Sequence, residues 1–322
     1  MVKASIILPT YGSRLGYLED AVASLQRQDF SLEYEIIVVN NGPGLGVRLI
    51  VENLNKKGMH RVIYVNEPEA GAAKARHTGV KAAKGEFFVF VDDDILVPVD
   101  WLQFLLKPFS NPKVGCTGGK IDLQFEKQPP DWWAKQFGRG YLSLLDHGNK
   151  TKVLAYPDFV WSCNMAVRKD VFYEVGGFNP DFSGDPSKLW FTGDNECGLE
   201  MKIYEAGHKI IYEPEARIDH RIPASRLTPK YFYDRNYIEG IMDSFTHVRQ
   251  QKGKKRVVLL LVSYSVYCYG MSLKKLFGSF VKRAYAMKSK ADSLRWYAKA
   301  EHHLRAAFSS KLREHIWQNS YI

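Results

Sequence analysis

The 322-residue chain is poor in cysteine, and Cys116, Cys163, Cys197 and Cys268 stand far apart. No C-x-x-C pair and no Cys/His cluster at zinc spacing occurs, which argues against a disulfide scaffold or zinc module and fits reduced, mostly buried thiols of a cytoplasmic protein. Both glycine-rich signatures of nucleotide binding are missing. With no G-x-G-x-x-G after the first strand pattern and no G-x-x-x-x-G-K-[ST], a dinucleotide Rossmann enzyme and a P-loop ATPase are disfavoured, and a nucleotide would have to be held by loops and a metal ion. The first nine residues enter a strand pattern directly and lack a signal-peptide layout. Acidic residues are scarce near the end: from Gln251 onward 15 Lys+Arg face 3 Asp+Glu, against 30 and 32 before it. The last part therefore reads as a basic attachment with anionic partners, membrane phospholipid ahead of nucleic acid, for which no recognised motif accompanies the charge.

What is present is a large apolar fraction, 45% hydrophobic and 13% aromatic, enough to bury a sizeable core. The central stretch is Phe87–Asp94. Five apolar residues, Phe87 to Val91, run unbroken into Asp92, Asp93 and Asp94, the pattern of a strand buried on both faces. Ligands of open α/β sheets bind beyond the carboxyl ends of the strands, and three adjacent acids there repel one another unless a cation holds them. A hard divalent ion with oxygen ligands is the simplest occupant, and a solvated acidic turn is the plain alternative.

Strand and helix signals alternate around it, as in βαβ units. Strands are expected at Ser5–Leu8, Tyr34–Val39 and Arg61–Val65, with helices over Leu18–Leu25, Val47–Leu54 and Ala70–Ala83. Loops follow at Pro9-Thr10-Tyr11-Gly12 and Asn40-Asn41-Gly42-Pro43-Gly44.

Four segments, Ser5-Ile6-Ile7-Leu8-Pro9-Thr10-Tyr11, Glu35–Gly42, Ala73–Gly79 and Phe90–Asp94 with Trp101-Leu102, resemble in order the signatures of glycosyltransferase family 2. Gly118-Gly119, Asn164–Arg168, Val175–Phe178 and Gly193–Glu196 through Ala206-Gly207 to His220 are similar to that family's acceptor-side half. The resemblance covers about residues 3–240. It implies an α/β protein of GT-A fold with a Rossmann-like, mostly parallel central sheet flanked by helices, and inverting transfer from a nucleotide-diphosphate sugar. The expected division is 1–240, with 1–110 holding the nucleotide sugar and 111–240 the acceptor, followed by a basic helical extension, 241–322.

The resemblance also implies roles. Asp92 would face the nucleoside with Asp93 beside it, and Asp94 would bind the metal, Mn2+ or Mg2+, with His220 completing its shell or meeting the diphosphate; a surface histidine is the alternative for His220. The metal would neutralise the phosphates in binding and in departure. Tyr11 is suited to stack on the base, with Pro9 and Thr10 shaping the turn. Asn40 departs from the usual Asp, so the base is left open, because an amide both donates and accepts. Arg76 would approach the diphosphate or base, or else pair with an acid. Counting back from Ala206-Gly207 makes Glu196 the general base, whereas anchoring on Gly193 favours Asp194. Asn164, Trp132 and Trp133 fall on the acceptor side; paired tryptophans suit stacking on sugars, dipping into lipid headgroups, or core packing.

Val257–Leu273 holds 17 residues without formal charge, at the short end of a bilayer span. Leu273, Leu276, Phe277, Phe280, Ala284 and Met287 then recur at helical spacing, with Lys274, Lys275, Lys282, Arg283, Lys288 and Lys290 largely off that stripe, a basic amphipathic helix at a membrane interface. A helical cap on the catalytic domain and a true span are the alternatives. The reading is a metal-dependent transferase on the cytoplasmic membrane face, building a cell-surface polysaccharide or glycolipid on a glycan or lipid-linked acceptor. A sugar nucleotidyltransferase is the nearest rival, with Pro9–Arg14 a poor version of its loop. A catalytically dead scaffold, supported by Asn40 and Asn195, comes from another class.

Overall fold

The computed structural model describes residues 2–322 except 45, 58, 59, 137, 138 and 282–284. Its first part alternates β1 (Ala4–Thr10), α1 (Leu15–Leu25), β2 (Tyr34–Asn40), α2 (Gly46–Lys57), β3 (Val62–Asn66), α3 (Ala72–Ala82) and β4 (Phe87–Val91). Then follow β5 (Ile95–Leu96), α4 (Trp101–Leu106), β6 (Val114–Phe125), α5 (Asp131–Gln136), β7 (Lys152–Leu154), β8 (Asn164–Arg168), α6 (Lys169–Glu174), α7 (Asn195–Glu205) and β9 (Lys209–Ile222). Four helices close the chain: α8 (Pro229–Arg249), α9 (Val257–Val281), α10 (Ala286–Phe308) and α11 (Ser310–Ile316).

The strands form one sheet in the order β3-β2-β1-β4-β8-β6-β9-β5, with β7 on β9. Parallel pairing holds from β3 to β4. Beyond it the sheet is mixed, since β8 runs antiparallel to both β4 and β6. Every residue of β1, β2 and β4 is buried, as helices on both faces require of unbroken apolar strands. Leu18, Ala21, Val22 and Leu25 form the buried stripe of α1. On α3 small residues allow contact: a Cβ on Gly79 would lie 2.4 Å from Ile7 Cγ2. Pro9 and Thr10, expected in a loop, extend β1 opposite Val39 and Asn40. Proline is tolerated there because the β4 side of β1 is paired only as far as Ile7.

The 14-residue β9 brings the distant parts together. It pairs with β6 through a register shift between Gly119 and Ile121, where a Cβ on Gly119 would sit 1.8 Å from the Ala216 carbonyl oxygen. Its far end places His220 opposite Ile95 of β5, the residue after Asp94.

Asn164 is corrected here. It is fully buried: its Oδ1 accepts from Trp101 Nε1 at 2.9 Å, and its Nδ2 donates to the carbonyls of Ala216 and Lys120. It ties β8 to its neighbours and presents nothing to an acceptor. Trp133, 5% exposed, belongs to a second core with Phe232 and Ala291, against which Trp132 packs. Neither indole lines the clefts described below, because α8 and α10 cover this side of the sheet.

The division at residue 240 falls inside α8. Helix α10 packs against α8 and α9, and a third core joins Phe245 of α8 with Leu261 and Ile316. Helix α9 points Ser265, Cys268 and Ser272 inward, its serines donating to the Ala300 and Ser293 carbonyls. Outward it shows Leu259, Val266, Leu273, Leu276, Phe277 and Phe280. Lys282, Arg283 and Ala284 lie outside the described residues.

Glu200 of α7 is fully buried, with Oε2 accepting from the Val160 amide at 3.1 Å and Oε1 meeting no partner. Burial raises its pKa well above the usual value. A carboxyl whose folded pKa is raised favours folding below its unfolded pKa of 4.5 and loses that contribution as pH rises toward the folded value. Glu200→Gln is therefore expected to match the parent near pH 4.5 and to exceed it increasingly up to pH 8, by at most about 1.4 kcal/mol per pH unit. Urea unfolding across that range measures it, and a gap independent of pH contradicts it.

Candidate functional site

At the carboxyl ends of β1, β2 and β4 lies a cleft of about 680 Å³, lined by Pro9, Thr10, Tyr11, Asn41, Arg76 and Asp92–Asp94, with Asp181–Asp185 and Arg226 closing it. Each acid after β4 has its own environment. Asp92, partly exposed, accepts from Arg76 Nη2 at 2.9 Å. Asp93 accepts from Thr10 Oγ1 at 2.5 Å; burial pushes its pKa up to about 6 even so. Asp94 is 2% exposed. Burial alone would raise its pKa, but the guanidinium charges of Arg226 and Arg14 close around it hold it down at about 2.

Arg14 Nη2 lies 3.1 Å and Arg226 Nη2 3.3 Å from Asp94 Oδ2, and His220 Nε2 lies 3.3 Å from Oδ1. His220 Nδ1 is 3.1 Å from the Leu142 carbonyl, which can only accept, so that nitrogen carries the proton. Nε2 takes the donor Arg226 Nη1 at 3.2 Å and is left as a lone pair. The buried Asp94 Oδ1 has no hydrogen-bond partner, so two acceptors face each other with no proton between them. Neighbouring ligands of an octahedral ion at 2.0–2.1 Å are about 3 Å apart, and a metal-bound histidine commonly donates its other N–H to a carbonyl. The pair therefore fits a divalent metal. Among the described residues no cluster of three or more His, Cys, Asp or Glu is placed to hold one, so the remaining positions would fall to ligand oxygens and water.

Arg76 is 3% exposed and leaves Nε and Nη1 without hydrogen-bond partners. Burial opposes its charge, and Asp92, Glu196 and Asp181 support it. A buried guanidinium with two unmatched donors on a cleft wall suits an anion. Tyr11, 60% exposed, stands at the mouth with a free ring face. Asn40 is corrected: its Nδ2 donates to the Gly42 carbonyl and Asn66 Oδ1, each at 3.1 Å, folding the loop after β2. Its neighbour Asn41 lines the cleft instead.

The two carboxylates at the start of α7 separate cleanly. Asp194 is 3% exposed and accepts from Asn179 Nδ2 at 2.6 Å and Thr246 Oγ1 at 2.5 Å, joining α7 to α8. Asn195 has φ 43°, which asparagine tolerates, and turns the chain into the helix. Glu196 has its pKa raised by burial and lowered by Arg76 and Arg235. Asp194 is thus a structural tie, while Glu196 stands in the field of the Arg76 and Asp92 side of the cleft.

Arg14, Asn41, Asp181 and Arg226 were not singled out by sequence. Arg14 was visible only as the end of the first loop. Asp181 accepts from the Ala72 amide at the start of α3, a contact between residues 109 positions apart.

The site, with Asp94 and His220 in metal-fitting geometry beside the unmatched donors of Arg76, lies beyond a parallel strand end of a glycosyltransferase with the GT-A fold. Residues 5–176 match the profile of Glycosyl transferase family 2, and the chain belongs to that family. A glucosyl-dolichyl phosphate glucuronosyltransferase of Haloferax volcanii is 22% identical over 249 residues, 74% of this chain and 75% of that protein. The succinoglycan biosynthesis protein ExoM of Rhizobium meliloti is 24% identical over 208 residues, 64% of this chain and 62% of its own. Among solved structures, a mannosyltransferase of Pyrobaculum calidifontis in complex with GDP-Man and Mn2+ has a TM-score of 0.59 at 18% identity, covering 92% and 86% of the two chains. GalNAc-T7 with UDP, GalNAc and Mn2+ has a TM-score of 0.52 at 17%, covering 80% of this chain and 52% of its own. At such identities the structural likeness speaks for the fold.

Asp194→Ala is expected to lower stability by about 2–4 kcal/mol, because it leaves the Asn179 amide and Thr246 hydroxyl unmatched in the interior. Denaturant unfolding reads this, and a change under 1 kcal/mol contradicts the tie between α7 and α8.

Proposed function

We propose that the chain is a metal-dependent inverting transferase that moves a sugar from a nucleotide-diphosphate donor to a hydroxyl of a glycan or lipid-linked acceptor. The observation that carries this reading is the pair of facing acceptors, Asp94 Oδ1 and His220 Nε2, ringed by Arg14, Arg226 and the under-satisfied Arg76. A divalent ion held by Asp94 and His220 would neutralise the diphosphate and favour its departure. Around it the chain's own groups divide the work. Arg76, Arg14 and Arg226 bring positive charge to an oxyanion that gains charge as the glycosidic bond breaks. Tyr11 stacks on the base, Asp92 meets the ribose, and Asp93, tied to Thr10, shapes the floor between them. Glu196 accepts the proton of the acceptor hydroxyl as that oxygen attacks the anomeric carbon, and its raised pKa suits a base working near neutral pH. The donor-binding half corresponds to residues 1–110 and the acceptor half to 111–240.

The test is thermal unfolding of the full chain with UDP, GDP and other nucleoside diphosphates, each with and without Mn2+. A ligand at 100 times its Kd stabilises by about 2.7 kcal/mol. One nucleotide is expected to raise Tm only with Mn2+, Asp94→Asn to erase that shift, and Glu196→Gln to keep it while abolishing sugar transfer. Retained transfer by Glu196→Gln removes it as the base, and a nucleotide shift indifferent to Mn2+ removes the metal.

The outward face of α9 supports peripheral attachment to an anionic membrane. By length and composition α9 could cross a bilayer, but its serines are engaged on α10, and Lys254, Lys255, Arg256 and Lys274 are exposed beside the apolar face. Apolar insertion plus attraction to acidic lipid is the chemistry of an interfacial helix, and free thiols agree with the cytoplasmic side. The full chain is expected to sediment with phosphatidylglycerol vesicles far more than with phosphatidylcholine vesicles, and Leu273→Glu with Phe277→Glu to lose most of that binding. Equal sedimentation of the double variant refutes the attachment.

A further inference from the structure

The segment between α6 and α7 forms a loop whose two ends meet: the Pro180 carbonyl accepts from the Gly193 amide at 3.0 Å and from the Asn195 amide at 3.4 Å. The loop faces two ways. Its first residues, Asp181–Asp185, close the donor cleft, and Asp181 Oδ2 accepts from the Ala72 amide at 2.8 Å. Gly71, at the start of α3, has no side chain to cap that helix, so the loop supplies the cap to the helix that carries Arg76. Its last residues, in the turn Pro186–Phe191, meet the helices that end the chain. His302 Nε2 of α10 lies 3.1 Å from the Trp190 carbonyl, and His315 Nε2 of α11 lies 3.1 Å from the Phe191 carbonyl. A carbonyl only accepts, so both imidazoles donate from Nε2. Between these two sets of contacts lies a cavity of about 380 Å³, with Pro180, Ser183 and Phe191 on the loop side and His77, His315 and Tyr321 opposite. With that space beneath it, the loop is held by its tethers and not by close packing along its length.

We propose that His302 and His315 are positioning residues for the donor: by holding the Trp190 and Phe191 carbonyls they keep Asp181 on α3 and the loop against the donor cleft. The inference rests on the reading of that cleft as the nucleotide site, and it gives the last helices of the chain a part in donor binding. Three observations set this hold apart from incidental contact. His302 is fully buried and its tautomer is fixed from behind. Because its Nε2 carries the proton, Nδ1 accepts from Ser244 Oγ at 2.7 Å. His303 Nδ1 faces the Lys299 carbonyl and so carries its proton, which Ser244 Oγ also meets at 2.7 Å; His303 Nε2 then accepts from His247 Nδ1 at 2.7 Å. All these bonds run in one direction and orient His302 toward the loop. Each imidazole, moreover, touches the side chain whose carbonyl it binds. The Trp190 ring is stacked with His302 and lies 4.2 Å from the Arg305 guanidinium, and Phe191 meets His315 edge-on at 5.1 Å. Finally, neither histidine lines the donor cleft, so an effect of either on the donor must pass through the loop.

The test compares the full chain with His302→Leu and His315→Leu, which keep bulk and lose the donor, and with His302→Gln and His315→Gln, which keep an N–H near the position of Nε2. Calorimetry measures the affinity for UDP and for GDP with Mn2+, hydrogen exchange follows the amides of residues 178–194, and Tm checks that each variant folds. His315 is only half-buried, so its variants decide the matter should His302→Leu fail to fold. The leucine variants are expected to bind the nucleotide about tenfold more weakly, the loss of one hydrogen bond, with faster exchange in the loop, and the glutamine variants to stay close to the parent. Unchanged nucleotide affinity in folded His315→Leu, or a glutamine variant as weak as its leucine counterpart, overturns the positioning role. A parent chain that binds neither nucleotide removes the donor reading, and loop exchange then decides the hold alone: faster exchange in the leucine variants upholds it, and equal exchange overturns it.

Discussion

The cleft depends on a carboxylate kept charged where water scarcely reaches. Removing an ion from water costs several kcal/mol unless opposite charge is brought to it, and Asp94 is compensated by guanidinium groups from two remote points, Arg14 and Arg226, with His220 beside its other oxygen. His220 and Arg226 arrive through β9. Its pairing with β5 sets His220 beside the acids, the Arg221 amide donates to the Asp94 carbonyl at 2.8 Å, and the turn after the strand returns Arg226 to Asp94 Oδ2, the oxygen that Arg14 also meets. A register slip of one residue in β9 would point His220 to the other face and leave Asp94 unbalanced. The electrostatics of the site and the topology of the sheet are therefore one constraint.

What was legible in the sequence follows from range. A five-residue apolar run ending in acids announces a buried strand and its polar end, and a 3.6-residue stripe announces α1, because both patterns are written in neighbouring residues. Counting back from Ala206-Gly207 favoured Glu196 over Asp194, and the partners that engage Asp194, Asn179 and Thr246, were not legible because they lie on other elements. Asn164 misled for the same reason, and for the paired tryptophans, where core packing stood as an alternative, burial favours that alternative at Trp133. An amide and two indoles carry no local mark of burial, and the groups that enclose them, Trp101, Ala216, Phe232 and Ala291, are far along the chain. The mixed half of the sheet was illegible because β8 and β6 are short or glycine-containing strands whose direction is fixed by what surrounds them.

Helices α8 to α10 complete what the sheet begins. The family profile matches residues 5–176, and α8, beyond that span, supplies the Thr246 partner of Asp194. Helices outside the profile thus hold the start of α7 in place. Contacts between these helices and the segment leading into α7, not a linker, set their relation: Thr246 with Asp194, and the His302 ring with the Trp190 carbonyl.

Helix α9 has Tyr264 on its inner side, stacked on His247 of α8, and Leu273 and Phe277 on its outer side. A helix with its side chains is about 10 Å across. A lipid surface lying against the outer side would therefore stand roughly one helix thickness from His247, and α9 would act as a spacer that keeps the bilayer off α8.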